Sequence, residues 1–278
     1  MKSILITGAS SGIGKATALH LDTLGYRVFA GVRREEDGTA LRQEASERLS
    51  PVILDVADDA SIAAAVQHIA SETGGTLDGL INNAGIGRSG VLEAIPLEEI
   101  RTLFDVNVIG VFAVTKAFIP MLLKAKGRII NIGSSSGFMA FPGASAYAAS
   151  KFAVHALSDS LRLELKLQGV HVILVAPGAI ESRIWEKGTE FKKRMRENID
   201  PDVAERYRVF REYGDRMISD LKKIPAQEAA DVIETAFTAE NPKPVYLVGS
   251  DARRARKVGR FPKRLLDWMI LKLIHKKS

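Results

Sequence analysis

The stretch Ile6–Ala16, "ITGASSGIGKA", decides how the chain is read. An apolar run, "SILIT" at 3–7, leads into it, and a helical pattern over 12–24 leads out. Between them Gly8, Gly12 and Gly14 are spaced G-x-x-x-G-x-G. Glycines at a strand-to-helix turn let the backbone bend tightly and approach a pyrophosphate. That anion then rests on the N–H groups at the helix N-terminus. By itself a glycine-rich turn is common punctuation. Its meaning depends on what surrounds it.

Outward from the turn, short apolar runs alternate with longer helical patterns. The runs "RVFAGV" (27–32), "PVILDV" (51–56), "LDGLINN" (77–83), "GRIINIG" (127–133), "VHVILVAP" (170–177) and "PVYLVG" (244–249) read as further strands. They are continuous rather than alternating in polarity, the signature of strands covered on both faces. Helical patterns lie between them, over 12–24, 59–73, 98–125 and 145–168. Strand–helix alternation implies right-handed crossovers and a parallel sheet. The expectation is an α/β fold with one doubly wound domain over 1–250. It has a parallel seven-stranded sheet, with helices on both faces. A charged helical insertion occupies about 183–224, and a basic, apolar helical extension covers 251–278.

Composition limits the function classes. The chain has 278 residues, 46% hydrophobic and 26% charged, as in ordinary globular proteins. There is no cysteine, so disulfides and thiolate chemistry are excluded. The five histidines show no paired spacing, and no metal is expected. No apolar run reaches the ~18 residues of a bilayer span, and the N-terminus lacks the apolar region of a signal peptide. A cytoplasmic location is expected. The net charge of +6 divides unevenly: residues 252–278 carry ten Lys/Arg and one Asp, and residues 1–251 are at −3. The body is therefore no candidate for nucleic-acid binding, and the tail needs its own account.

Two further features carry chemistry. At the end of the second strand, "AGVRREED", Val32 stands where an acid would receive a ribose 2′-OH. Arg33 and Arg34 follow, and a guanidinium suits a 2′-phosphate. The reading is NADP(H), with NAD(H) left open because Glu35 or Asp37 can fold back. Ser11 adds a hydroxyl in the turn. Then, in "AYAASK" (146–151), Tyr147 and Lys151 are four apart and share a helix face. A phenol titrates near ~10 and is a poor acid at neutral pH. A neighbouring ammonium is expected to lower it.

Together "TGASSGIG", "NNAG" (82–85), Asn107 in "FDVNVIG", "GSSSG" (133–137), "YAASK" (147–151) and "PGAIES" (177–182) resemble the short-chain dehydrogenase/reductase family, over about 1–250 and in the right order. The strand end and long tail are most similar to its 17β-hydroxysteroid and retinol dehydrogenase-like branch. The resemblance implies a Rossmann fold and a carbonyl–alcohol oxidoreductase. It implies that Tyr147 exchanges a proton with the substrate oxygen, that Lys151 tunes it and binds the nicotinamide ribose, that Ser134 is the family's serine, and that Asn107 continues a proton relay. It places Gly8, Ser10, Ser11, Gly12, Ile13, Gly14, Arg33, Arg34, Asp55, Val56, Asn83, Ala84, Gly85, Tyr147, Lys151, Pro177, Gly178, Ile180 and Ser182 at the cofactor. Family members commonly pair through helices like 98–125 and 145–168, so a homodimer or homotetramer is expected. The rival reading is a dinucleotide-binding regulatory or scaffold protein with little turnover. The intact Asn107, Ser134, Tyr147 and Lys151 set argues against it.

Phe138, Met139 and Phe141, with Ile184 and Trp185 of the insertion, would form an apolar wall for a steroid-, retinoid-, acyl- or aryl-like ketone or aldehyde. In the tail, Leu265, Leu266, Met269, Ile270, Leu273 and Ile274 fall on about half of a helical cylinder flanked by Lys and Arg. That face either lies peripherally on an anionic membrane, through 252–278, or packs on the domain or a partner subunit. The second reading is preferred.

Overall fold

A computed structural model describes residues 1–276. Seven strands form one sheet: β1 (Ser3–Ile6), β2 (Arg27–Val32), β3 (Leu49–Ile53), β4 (Gly79–Asn82), β5 (Arg128–Ile132), β6 (His171–Pro177) and β7 (Val245–Val248). Their order is β3-β2-β1-β4-β5-β6-β7, and every pairing is parallel. The chain winds outward from β1 to β3, returns to β4 beside β1, and winds the other way. The reversal leaves a crevice beyond the carboxyl ends of β1 and β4, where open α/β sheets take their ligands.

The continuous apolar runs follow from this burial. Ile4, Leu5 and Ile6 of β1 are all fully buried, with alternate side chains serving opposite cores. One core packs Ile4 and Ile6 with Ala18 and Leu21 of α1 (Gly12–Thr23) and Ile233 and Phe237 of α10 (Ala226–Thr238). The opposite core packs Leu5 and Phe29 with Ile62 and Ile69 of α3 (Asp59–Thr73), Val114 and Phe118 of α5 (Gly110–Ala125), and Leu161 and Leu165 of α6 (Ser145–Lys166). A short α2 (Glu35–Arg42) follows β2.

A buried polar chain fastens α6 to the sheet. Asn82 Nδ2 donates to Thr115 Oγ1 (2.8 Å) and to Asn131 Oδ1 (2.9 Å), and Asn131 Nδ2 donates to Ser158 Oγ (2.9 Å). Such groups are tolerated in a core because each is hydrogen-bonded.

The helix expected over 98–125 is three segments: α4 (Leu97–Phe104), a π-helical turn (Asp105–Ile109) and α5. As one 29-residue element whose most apolar 18-residue window has a mean hydropathy of 1.9, it is long and apolar enough by composition to cross a membrane. This corrects the expectation that no such stretch exists. Isolated polar residues break the apolar run without lowering its mean enough. Half of its most apolar window is buried in the fold, where α5 packs against α3 and β4.

The charged insertion forms α7 (Arg183–Glu197), α8 (Pro201–Arg206) and α9 (Arg208–Ser219). The C-terminal extension forms α11 (Ser250–Val258) and α12 (Lys263–Lys276). α11 packs on β7 and on the 3₁₀ turn Ser135–Gly137, and α12 touches α9. Of the six apolar tail positions, Leu266 and Ile274 are buried. Leu265 and Leu273 are exposed, as are Trp268 and Leu271, which the sequence reading left off the apolar face. The extension is thus apolar on both sides, and only one side packs on the fold.

Candidate functional site

The glycine turn is built by crowding. Gly8 (φ +66°) and Gly12 (φ +55°) occupy the left-handed region that favours glycine. A Cβ on Gly8 would lie 2.8 Å from Ala84 Cα, and one on Gly12 2.7 Å from Ser182 Cβ. Asn83 stitches the turn to β4: its Nδ2 donates to the carbonyls of Thr7 (2.9 Å) and Gly8 (3.0 Å). Thr7 Oγ1 accepts from the N–H groups of Asn83 and Ala84, both at 3.0 Å. The turn, "NNAG" and the start of α7 therefore meet at one place. Ser11 is the N-cap of α1, yet its hydroxyl makes no capping bond to the helix. A free hydroxyl and the positive end of α1 make a fitting phosphate cradle.

At the end of β2 the two arginines differ. Arg34 is engaged: its Nε and Nη2 donate to the Asp37 carboxylate at 2.9 and 3.0 Å. Arg33 is exposed and, among the described residues, in no ion pair. Asp37 does fold back, but onto Arg34. That hydrogen bond holds its carboxyl below the ordinary range, and the charges of Arg183 and Lys187 on α7 act in the same direction. Those two cations are a contribution to this corner that the sequence reading missed, because they lie some 150 residues away in the chain. Val32 is 1% exposed and offers nothing polar there. Asp55 turns its own loop, its Oδ1 accepting from Ala57 N–H at 3.0 Å.

Tyr147 and Lys151 lie one turn apart on α6, with the Lys151 Nζ 6.0 Å from the phenol ring centroid. Lys151 is 7% exposed, and its Nζ donates to the carbonyl of Ile132 at 3.0 Å. Burial pushes its pKa down to about 8. Ser134 caps the 3₁₀ turn after β5, its Oγ accepting from Ser136 N–H at 3.1 Å. Burial raises the Tyr147 phenol above its ordinary value, and hydrogen bonding by the Ser134 side chain opposes this. The direction is opposite to that expected from the Tyr–Lys spacing. Desolvation of the phenolate outweighs the ammonium, which is itself buried and at a distance.

Asn107 sits in the π-helical turn and is 1% exposed. Its Oδ1 accepts from Ile86 N–H (2.8 Å), and its Nδ2 donates to Ile86 O (3.0 Å) and Ser150 Oγ (3.2 Å). Ser150 in turn donates to the Tyr147 carbonyl at 2.7 Å. Asn107 thus ties the loop after "NNAG" to the helix bearing Tyr147. Ser150 was not singled out by the sequence, although it stands within "YAASK".

The loop after β6 closes the site. Gly178 N–H donates to Val248 O at 3.0 Å, and Ile180 bridges Ile224. Trp185 Nε1 donates to Ile180 O at 2.7 Å, and Ile184 packs on Gly87. Phe138 turns its ring to His155 and Arg256, and Met139 and Phe141 are half-buried. A cavity of about 360 Å³ lies between α9, α11 and α12, lined by Tyr213, Met217 and Leu273 among others; it includes none of Asn107, Ser134, Tyr147 and Lys151. Among the described residues no cluster of three or more His, Asp or Glu has the arrangement of a metal site.

Residues 2–193 match the family of short chain dehydrogenases. The chain is 40% identical over 260 residues to 17-beta-hydroxysteroid dehydrogenase type 6 of Bos taurus, covering 91% of this chain and 82% of that protein. It is 35% identical over 259 residues to retinol dehydrogenase 7 of Mus musculus, again covering 91% and 82%. Among solved structures, a short-chain dehydrogenase from Streptomyces avermitilis superposes with a TM-score of 0.78 at 28% identity, covering 99% of this chain and 96% of that one. A short chain dehydrogenase from Burkholderia cenocepacia J2315 in complex with NADP gives 0.75 at 27% identity, covering 98% and 99%.

Proposed function

The chain belongs to the short-chain dehydrogenase family and is an NAD(P)-dependent dehydrogenase/reductase; on that premise we propose that it uses NADP(H) to interconvert an apolar ketone or aldehyde and its alcohol, with Tyr147 carrying the proton. The observation that carries this reading is the convergence of Tyr147, Lys151, Ser134 and Asn107 at the carboxyl ends of β4 and β5.

The residues present fit a nicotinamide dinucleotide. The glycine turn, Ser10, Ser11 and Ile13 would receive its pyrophosphate, Asp55 and Val56 its adenine, and Pro177, Gly178, Ile180 and Ser182 its nicotinamide end. When bound, the dinucleotide supplies or accepts the hydride. Tyr147 does the rest of the chemistry. Its phenol, with a pKa raised above its ordinary value, is protonated, the form that gives a proton to an alkoxide. Ser134 hydrogen-bonds the same substrate oxygen as charge develops. Lys151 and Asn107 hold the proton path behind the phenol. Arg33, with Arg183 and Lys187 acting on neighbouring Asp37, favours a 2′-phosphate, in accord with the NADP held by the Burkholderia relative. The steroid and retinol dehydrogenase names of these relatives accord with an apolar substrate.

The test is NADPH oxidation at 340 nm with a panel of apolar ketones and aldehydes, with NADH and Tyr147→Phe as controls. Turnover with NADPH that is lost in the variant, while NADPH binding is kept, supports the reading. Retained turnover removes Tyr147 from its role.

Two surfaces extend the proposal. Ile109 and Phe112 on the 97–125 helix, and Phe152 and Leu163 on α6, are exposed large apolar residues suited to pairing two copies. Light scattering of Phe112→Glu against the parent checks this, and an unchanged mass removes it. On α12, Leu265, Trp268 and Leu271 face outward, with Arg264 and Lys272 on the same side and Lys272 Nζ 4.6 Å from the Trp268 ring. An aromatic and leucine stripe among cations, on a tail at +9, fits an anionic bilayer surface. Sedimentation with phosphatidylserine-containing vesicles, against phosphatidylcholine alone, is expected to capture the protein but not Leu265→Glu/Leu271→Glu. Equal sedimentation of the two proteins overturns the contact.

A further inference from the structure

His155 is a buried imidazole that none of the roles above uses. It lies on α6 one turn beyond Lys151 and two beyond Tyr147, on the same face, and is 7% exposed. Its ring sits directly against the loop that carries Ser134. The backbone N–H of Ser134 donates to His155 Nε2 at 3.4 Å, and the Phe138 ring meets the imidazole edge-on with centroids 4.6 Å apart.

The loop backbone is shaped around this ring. A Cβ on Gly133 would come within 2.5 Å of His155 Nε2, and one on Gly137 within 2.3 Å of both Cε1 and Nε2. Both glycines of "GSSSG" are therefore needed for the chain to approach the imidazole. Accepting at Nε2 places the ring proton on Nδ1. Burial, and then the charge of Lys151, keep the ring neutral by lowering its pKa to about 4, against the opposing effects of Asp159 and of the hydrogen bond with the Ser134 backbone. On the far side, Arg256 of α11 lies 5.9 Å from the Phe138 ring centroid. The imidazole is thus enclosed by the serine loop on one side and by its own helix, with Lys151, on the other.

We infer that His155 is the positioning residue for Ser134: the serine loop closes on its ring, and its Nε2 fixes the Ser134 backbone so that the hydroxyl is presented to Tyr147. This rests on the reading of Ser134 and Tyr147 as the reacting pair. An apolar side chain of similar size would fill the space but leave the Ser134 N–H without its acceptor. Small displacements of a positioned group cost rate more than binding.

Four variants test the inference: His155→Leu, His155→Gln, Gly137→Ala and Ser134→Ala. His155→Leu is expected to lower kcat by about tenfold or more while the KM for NADPH stays within about twofold. His155→Gln, which can offer an oxygen near the Nε2 position, is expected to restore most of the rate. Gly137→Ala leaves the histidine in place but pushes the loop off it, and is expected to show the same kcat loss. It decides the matter if His155→Leu does not fold. Unchanged kcat in folded His155→Leu, or in Gly137→Ala where that variant decides, overturns the inference. So does a rate in His155→Gln as low as in His155→Leu. If Ser134→Ala keeps full turnover, the reading of Ser134 fails and the inference falls with it; if Ser134→Ala is inactive and His155→Leu is not, the inference alone fails.

Discussion

The Asp251 carboxylate accepts a hydrogen bond from the backbone N–H of Ala179 at 2.7 Å, joining the first turn of α11 to the loop that follows β6, 72 residues earlier. Its other oxygen accepts from Ala252 N–H at 2.9 Å. Gly178 lies so close that a Cβ there would be 1.9 Å from Oδ1. The C-terminal extension thereby holds the loop proposed to receive the nicotinamide. Asp251→Ala is expected to raise the NADPH dissociation constant about tenfold and to cost about 1–2 kcal/mol of stability, with Asp251→Asn milder. Fluorescence titration and urea unfolding measure the two effects; an unchanged dissociation constant removes the link to the cofactor.

Gly14 gives a second prediction. A Cβ there would sit 2.4 Å from Asn83 Nδ2 and 2.4 Å from Gly8 O, both held by the hydrogen bonds between β4 and the turn. Gly14→Ala should destabilise the fold by about 2–3 kcal/mol through overpacking. Gly188, inside α7, has no neighbour within 4 Å of such a Cβ. Gly188→Ala should be stabilising by about 0.5–1 kcal/mol, from propensity alone. Thermal unfolding of the two variants should move in opposite directions.

The two arginines after β2 should separate in kinetics. Arg33→Ala is expected to raise the KM for NADPH by about tenfold or more and to leave that for NADH nearly unchanged. Arg34 already holds Asp37, so Arg34→Ala should change the NADPH value by less than about threefold. Added salt should weaken NADPH binding more in the parent than in Arg33→Ala. Equal effects of the two substitutions on both cofactors would remove Arg33 from the 2′-phosphate.

His155 also predicts a pH dependence of stability. In the unfolded chain its ring takes a proton below its ordinary value of 6.5, and in the fold only below about 4. Between these values the unfolded state binds more protons, so stability rises with pH. The contribution is present above about 6.5 and is lost as pH falls to about 4, an effect on the order of 3 kcal/mol. Chemical unfolding at a series of pH values should show this slope in the parent and a shallower one in His155→Gln.

Much of the architecture is local information, and the sequence alone carried it. The run Ile4–Leu5–Ile6 of β1 is apolar at every position because both faces of the sheet are covered, so burial itself wrote the strand pattern. The glycine turn is legible for a similar reason: positive φ at Gly8 and Gly12 restricts the residue type wherever the fold is used. The spacing of Tyr147 and Lys151 needs only the helical repeat.

What the tertiary structure decided are matters of partner and solvent, which spacing does not encode. Arg33 and Arg34 are adjacent and chemically alike, and only the position of Asp37 makes one engaged and the other free of ion pairs among the described residues. A Tyr–Lys pair four apart predicts a lowered phenol, whereas burial raises it, because desolvation depends on everything packed around the ring. Asn107 carries no local mark of the π-helical turn it occupies or of its bonds to Ile86. The tail shows an apolar helix in sequence, and only the contact with α9 determines which residues turn inward and which are left to meet a surface. Periodicity and glycine report on backbone geometry within one element. Hydrogen-bond partners, charge and burial are set between elements far apart in the chain, and they exist only once it has folded.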